Sequence, residues 1–444
     1  MTAARLVRSA LKSGDPSELA SAYAGDAVLD ASVPGSRTRT QGPAAIRERF
    51  GELWAGGGEL VEWDLASHAL GCALWCERVD GAGGALRQRQ YLLVEDDTIS
   101  RHWIYGAPPR STAPAIEGQA APPLFERLGV LQREPMVSTG WSGNRLERLR
   151  TRDGTRLVAK RVAPTADWIG RLSRDRGREG LLHSEGLFAR MPEVIDPATV
   201  AAEPDGADAW WVVMRDVSAD LLDAASPITR EQNRSVLGAA DRMWRTYWGE
   251  EWDFLCTSYD RIAGMGPVTS ERERDGLDLL PKQLEAAWDA FAEAVEPDVA
   301  EPVLGLLADP SPLVAELAPR GSTLLHGDLR DEQLGFADGR LVVLDWGIAT
   351  QGHPVIDLAW YMVHDVWRIE ATHDEVVEDF RHARGGDDDP HALELGMIAG
   401  LAMYGWIFGH SAVVHPDPAE RAWAREELDW WVPRVRRALE HWSP

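Results

Sequence analysis

The chain has 444 residues, 44% of them apolar, and carries a formal net charge of −25. That length exceeds what one hydrophobic core usually organises, so two or three domains are expected. The acidity disfavours nucleic acid and anionic membrane as partners and would suit a cationic small molecule; it is uneven, since residues 1–110 hold 12 Lys/Arg against 14 Asp/Glu and the rest of the chain carries −23.

Two short helical patterns open the chain, ARLVRSALKSG and PSELASAYAG, followed by the strand-like AVLDASV. A helix is predicted from about Pro43 to Trp54, then strand-like runs near 60–68, 71–79, 86–94 and 98–105. Helices first and a curved antiparallel sheet after them is an α+β pattern. The stretch SGDPSELASAYAGDAVLDASVPGSRTRTQGPAAIRERFGELW and the closing strands resemble the nuclear-transport-factor-2-like, SnoaL-type family over residues 1–107. The resemblance implies a cone-shaped α+β barrel, in a family whose members include cyclases, isomerases, ligand binders and domains that only dimerise; a homodimer through this domain is one expectation. Asp30, His68 and His102 could form an acid/base set in such a cone, against the commoner role of a strand histidine as a satisfied structural residue.

The Pro-, Ala- and Gly-rich GAPPRSTAPAIEGQAAPP, residues 106–123, has no hydrophobic period and reads as a linker, placed at 108–123. Beyond it, residues 135–162 read as strand, glycine-containing turn, strand, Arg-Asp-Gly hairpin and strand; a helix is predicted over roughly 167–190, and WWVVMRDVS reads as an apolar strand with a polar connector. From about residue 226 the pattern is mostly helical. A β-rich part at 124–217 and a helical part at 218–444 predict two lobes with a cleft between them, the kind of place that binds small molecules. Cys72 and Cys76 lie about 13 Å apart along a strand, too far for one bridge, and with Cys256 they are read as buried thiols. LGMIAGLAMYGWIFGHSAVV, residues 395–414, is long enough to cross a bilayer, but its glycines and His410 favour a buried core helix; a cytoplasmic protein without a secretory signal is expected.

Chemistry concentrates in LLHGDLRDEQLGFADGRLVVLDWG, residues 324–347. Asp328 and Gln333 stand in the spacing of an Asp-x-x-x-x-Asn catalytic loop, and Asp345 closes an apolar strand. Transfer of a terminal phosphoryl group needs a metal and a cation on the triphosphate, backbone amides on its oxygens, and a carboxylate on the acceptor hydroxyl. Asp328 suits the last role, and Gln333 with Asp345 supplies hard oxygen ligands for Mg²⁺. Gly140 and Gly143 let backbone approach phosphates, Ser142 and Asn144 can cap nearby amides, and Lys160 on the third strand is aimed at that turn. Any one of these alone is more often an ordinary turn or edge residue; together they predict a nucleotide site.

LLHGDLRDEQLGF, LVVLDWGIATQGHPVIDLAWY and LVAKRV resemble the aminoglycoside phosphotransferase and choline kinase family, a branch of the protein-kinase-like fold, over about residues 124–444. The resemblance implies that Asp328 is the catalytic carboxylate, Asp345 a Mg²⁺ ligand and Lys160 the phosphate contact, with Asp357 bracing the catalytic loop. It also implies an acidic partner for Lys160, assigned to Glu179 with Glu185 as the alternative, and a hinge at Met214, Arg215 and Val217 whose backbone pairs with adenine. ATP or GTP with Mg²⁺ are the implied cofactors. Gln333 departs from the family's Asn by one methylene, which puts its metal geometry in question. The sequence therefore predicts a phosphotransferase acting on a hydroxyl of an unidentified small metabolite or antibiotic, for which the acidity would suit a cation; the alternatives are a degraded kinase-like scaffold that only binds ligand, or a bifunctional protein whose first domain also cyclises or isomerises something. Aromatics and carboxylates in DRMWRTYWGEEWDF, residues 241–254, are candidate acceptor contacts, against the commoner role of such residues in a core.

Overall fold

The helical spacing of Val7, Ala10 and Leu11 and the alternation of Gln90, Leu92 and Val94 are realised in the computed structural model, which describes residues 2–13, 15–33, 36–54, 59–68, 71–79, 85–95, 98–107, 122–136, 145–166, 168–223, 226–273, 280–386, 389–415 and 417–442. The fold is mixed α+β in two compact units, Met1–Gly118 with Lys282–Glu296 and Trp406–Trp430, and Gln119–Pro281 with Pro297–Gly405 and Trp431–Pro444.

In the first unit α1 (Thr2–Ser13), β1 (Tyr23–Val33), β2 (Ser36–Gln41), α2 (Pro43–Trp54), β3 (Glu59–His68), β4 (Gly71–Val79), β5 (Ala85–Glu95) and β6 (Thr98–Ala107) follow one another. The strands form a six-stranded sheet in the order β2-β1-β6-β5-β4-β3. A wholly antiparallel sheet is not what forms: β1 and β6 pair in parallel, Leu29 opposite His102 and Ala31 opposite Ile104. Parallel neighbours need a long crossover, and everything from β2 to β5 serves as one. β2, which the sequence reading did not predict, is the polar SRTRTQ at the sheet edge, where no buried face imposes alternation. Val7, Leu11, Leu19, Leu29, Phe50, Leu92 and Ile104 are buried in the core, each contributing roughly 1.5–3 kcal/mol if fully removed from water.

The second unit begins with a five-stranded sheet whose middle strand is Arg156–Val162, flanked by Trp210–Arg215 and Arg145–Thr151, with Thr199–Pro204 and Val130–Met136 outermost. Because side chains alternate, Leu157 and Ala159 join Phe125 and Trp211 on one face, while Val162 joins Val212, Met214 and Val342 on the other. Lys160 shares the second face. The single helix expected over 167–190 is instead Trp168–Leu172, Arg178–Ser184 and a 3₁₀ turn at Phe188–Arg190. Left-handed backbone at Arg174 (φ 51°) and Gly177 (φ 92°) interrupts it.

The hairpin is present: Leu334–Ala337 pairs antiparallel with Arg340–Val343. Asp338 and Gly339, both at positive φ (51° and 76°), make its two-residue turn, as an Asp-Gly pair in a tight hairpin requires. Thr323–Leu325 enters beside Thr350–Gly352, so the two ends of the motif are held together. Helix Pro390–Val414 is long and apolar enough to cross a membrane, and 89% of its most apolar window is buried inside the protein.

Candidate phosphoryl-transfer site

Lys160 lies on the central strand rather than an edge, and its ammonium is buried between two carboxylates, 2.9 Å from Glu179 Oε2 and 2.6 Å from Asp345 Oδ1. Burial works against that charge, but Asp345 and Glu179 outweigh it and hold the ammonium's pKa above its ordinary value. Burial pushes the Glu179 carboxyl up, against the pull of Lys160. The Lys160 charge instead draws Asp345 below the ordinary carboxylate range. Glu179, not the exposed Glu185, is therefore the acidic partner of the lysine.

Helix Arg178–Ser184 brings Glu179 into reach because Gly177 has no side chain: a Cβ there would stand 2.0 Å from the Trp210 indole. Asp175 Oδ1 accepts the N–H groups of Gly177 (2.9 Å) and Arg178 (2.6 Å), capping the helix start. Arg178 is fully buried and donates to the carbonyls of Ser173 (2.8 Å), Phe254 (3.1 Å) and Gly347 (2.5 Å). It thus ties the Glu179 helix to the segment that follows Asp345.

Asp328 accepts on both oxygens, from Gln333 Nε2 at 2.6 Å on Oδ2 and from Trp360 Nε1 at 2.8 Å on Oδ1, with Arg330 Nε 3.4 Å from Oδ2. Two hydrogen bonds fix this pair relative to Asp345: Leu344 N–H donates to the Gln333 carbonyl (2.9 Å), and His326 Nε2–H donates to the Leu344 carbonyl (2.9 Å). Asp345 itself is left-handed, φ 59°, an unusual conformation for a residue with a side chain. Gly327 is required by its surroundings, since a Cβ would stand 2.1 Å from the Ile348 carbonyl oxygen. Asp357 is fully buried and accepts the N–H groups of His326 and Gly327, each at 2.8 Å, so it braces the loop as the sequence suggested.

A divalent cation fits the donor set. Gln333 Oε1 is buried without a hydrogen-bond partner, and the Asp345 side chain is half exposed, 49%, although Lys160 engages one of its oxygens. An unsatisfied amide oxygen and a carboxylate are hard oxygen ligands of the kind Mg²⁺ takes.

Other expectations divide. Gly140, Ser142, Gly143 and Asn144 lie outside the described residues. Of the hinge, Met214 and Val217 are buried, while Arg215 is committed: its N–H donates to the Ala198 carbonyl (3.0 Å) and its guanidinium pairs with Asp196. Arg215 N–H is thus not free for adenine, a correction arising from the pairing of this strand with the Thr199–Pro204 connection. In the 241–254 segment Trp244 and Tyr247 are core residues, donating to Asp357 (3.3 Å) and to the Leu187 carbonyl (2.5 Å). Trp252 and Asp253 instead line an open groove of about 640 Å³ with Arg176 and Glu185.

In the first unit the side chains of Asp30 and His68 lie outside the described residues, and His68 sits on the edge strand β3. His102 is buried with both ring nitrogens used: Nε2–H donates to Gln90 Oε1 at 3.0 Å and Nδ1 accepts from the Tyr23 hydroxyl. Burial lowers its pKa to about 3, so it is a neutral structural histidine.

The sequence reading missed Trp360, Arg330, Arg178 and Arg261. Trp360 follows Asp357 by three residues on one helix and so shares its face, a spacing signal that was available. Arg261 and Arg178 gave no such signal. Asp331, His364 and Asp365 also place donor atoms within 4.8 Å of one another, but Arg368 pairs with Asp331 and supplies its countercharge.

A protein-family model described as the phosphotransferase enzyme family matches residues 137–395, more than half of the chain. No curated protein matches it in sequence. Among solved structures, an aminoglycoside phosphotransferase from Alicyclobacillus acidocaldarius is similar at 14% identity and TM-score 0.38, over 73% of this chain and 97% of that one. A choline kinase from Streptococcus pneumoniae is similar at 14% identity and TM-score 0.38, over 74% and 98%. An NTF2-like protein of unknown function from Mesorhizobium loti is similar at 18% identity and TM-score 0.20, over 24% and 91%.

Proposed function

The chain belongs to the phosphotransferase enzyme family, and from that premise we propose that it moves the γ-phosphoryl group of ATP or GTP to a hydroxyl of a small molecule. Asp328 orients the acceptor hydroxyl and receives its proton. The acceptor oxygen forms its bond to the γ-phosphorus as the bond from phosphorus to the β,γ-bridging oxygen breaks, and the nucleoside diphosphate leaves with that electron pair. Lys160 meets the phosphate oxygens, held in place by Glu179. Arg330, beside Asp328, adds positive charge where the phosphoryl oxygens gather it. Gln333 and Asp345 would hold Mg²⁺, which supplies charge neutralisation to the β- and γ-phosphates.

The observation that carries this reading is the buried Lys160 bridging Glu179 and Asp345, tied through the hairpin to the Asp328–Gln333 pair with its unsatisfied amide oxygen. The test is a screen of hydroxylated metabolites and cationic antibiotics with γ-labelled ATP and GTP, run beside Asp328→Asn. Label transfer to an acceptor by the parent and not the variant supports the proposal; no transfer from the parent across the screen, with Mg²⁺ present, replaces it with a ligand-binding scaffold.

A further inference from the structure

One face of helix Val355–Asp365 follows the loop residue by residue. Asp357 accepts the N–H groups of His326 and Gly327, Trp360 donates to Asp328 Oδ1, and Asp365 Oδ2 accepts the N–H of Asp331 at 2.8 Å. Of these only Trp360 touches the carboxylate on which the proposed reaction turns. Its ring is buried, with Tyr404 edge-on at 5.7 Å and the Arg261 guanidinium stacked over it at 3.9 Å. Arg261 is anchored in turn by its Nε, which donates to the Gly327 carbonyl at 2.5 Å, one residue before Asp328.

Resting on the phosphotransfer reading, we infer that Trp360 is a positioning residue for Asp328, acting through its indole N–H with Arg261 behind it. An indole nitrogen is a donor only, so it cannot reverse the bond as protons move at the site. It fixes Oδ1 while Gln333 and Arg330 hold Oδ2, so the plane of the carboxylate is set from both sides. A cation over the indole face withdraws electron density from the ring and makes N–H the stronger donor. Trp360 therefore sets the direction of the oxygen pair that receives the proton.

Trp360→Phe keeps a ring under Arg261 and removes only the N–H. kcat/KM for the acceptor should fall about tenfold, with the nucleotide KM within twofold. The loss should fall on kcat per folded molecule, because a carboxylate free to rotate about its Cβ–Cγ bond is less often aligned with the acceptor hydroxyl. A tryptophan that merely packs would lower the folded fraction and leave kcat per folded molecule in place. An acceptor kcat/KM per folded molecule within twofold of the parent overturns the inference while leaving the phosphotransfer reading intact; a parent without phosphotransfer overturns both. Should Trp360→Phe fail to fold, Arg261→Gln decides. It keeps the indole and removes the cation stacked on it, and a smaller fall in kcat per folded molecule at an unchanged nucleotide KM supports the inference, whereas kcat at the parent's value overturns it.

Discussion

Two of the buried polar clusters among the described residues are built on different principles. In the first unit Tyr23, His102 and Gln90 form a chain in which both imidazole nitrogens have partners and burial has driven the histidine neutral. In the second unit Lys160 and Glu179 keep charge in the interior beside the half-exposed Asp345, Gln333 Oε1 has no partner, and Asp345 stands in a left-handed conformation. Both are buried and both contain titratable groups, so burial and titratability do not tell a site from a core. What differs is the remainder: the first cluster is closed, whereas the second leaves an acceptor atom and a half-exposed carboxylate that a ligand can use.

The largest effect that would sharpen this contrast is on turnover. Asp328→Asn should lower phosphotransfer by roughly 10²–10⁴-fold, the range for loss of a general base, with nucleotide binding by calorimetry within a few-fold. Activity equal to the parent would remove Asp328 from its role. Lys160→Met should cost stability as well as activity. It leaves the 2%-exposed Glu179 side chain without its cation, a loss of about 3 kcal/mol for a broken buried pair, readable as a lower urea midpoint together with weaker Mg²⁺–nucleotide binding. An unchanged midpoint would make this pair no more demanding than the closed cluster.

The closed cluster should answer to pH and be silent in turnover. A histidine with a folded pKa of about 3 binds its proton in the unfolded chain first. Its contribution is complete above about pH 6.5 and is lost as pH falls toward 3, at up to about 1.4 kcal/mol per pH unit. Hydrogen-exchange protection factors in β5 and β6 of the whole protein, which remove the pH dependence of the chemical step, should fall between pH 7 and 5, and His102→Gln should flatten that dependence by one proton. Tyr23→Phe leaves His102 Nδ1 unsatisfied and should destabilise the same strands by about 1–3 kcal/mol. Loss of phosphotransfer in Tyr23→Phe would break the comparison, by showing that the first cluster serves catalysis.

Much of this was legible before any coordinates. The apolar periods of α1, α2 and β3 to β6 marked those elements of the first unit but not its segments Lys282–Glu296 and Trp406–Trp430, and the Asp328, Gln333 and Asp345 spacings pointed to the candidate site, because local chemistry dictates both. What stayed hidden depends on contacts distant in sequence. Nothing near Arg178 or Arg261 reveals that each reaches a backbone carbonyl across the fold, at Gly347 and Gly327. β2 was hidden because an edge strand has no buried face to impose alternation. The parallel pairing of β1 with β6 is a matter of topology, which hydrophobic patterning does not encode.

The smallest expected effect tests the departure from the family's asparagine. In the structure the Gln333 amide is not slack: Nε2 reaches Asp328 Oδ2 at 2.6 Å, and the backbone on either side is pinned, Gln333 N–H to the Arg330 carbonyl (3.0 Å) and its own carbonyl to Leu344 N–H. Asn at this position cannot follow by moving the main chain, so the amide retreats by a methylene from Asp328 and from the place where a metal would sit. Had Gln333 been an ill-fitting ligand, shortening it would restore activity; because its reach is already used, Gln333→Asn should lower kcat by about tenfold, on the order of 1.4 kcal/mol in barrier, and raise the Mg²⁺ concentration needed for half-maximal rate. A rise in turnover would show that the amide is strained toward Asp328, and that the open cluster is less well built than the closed one.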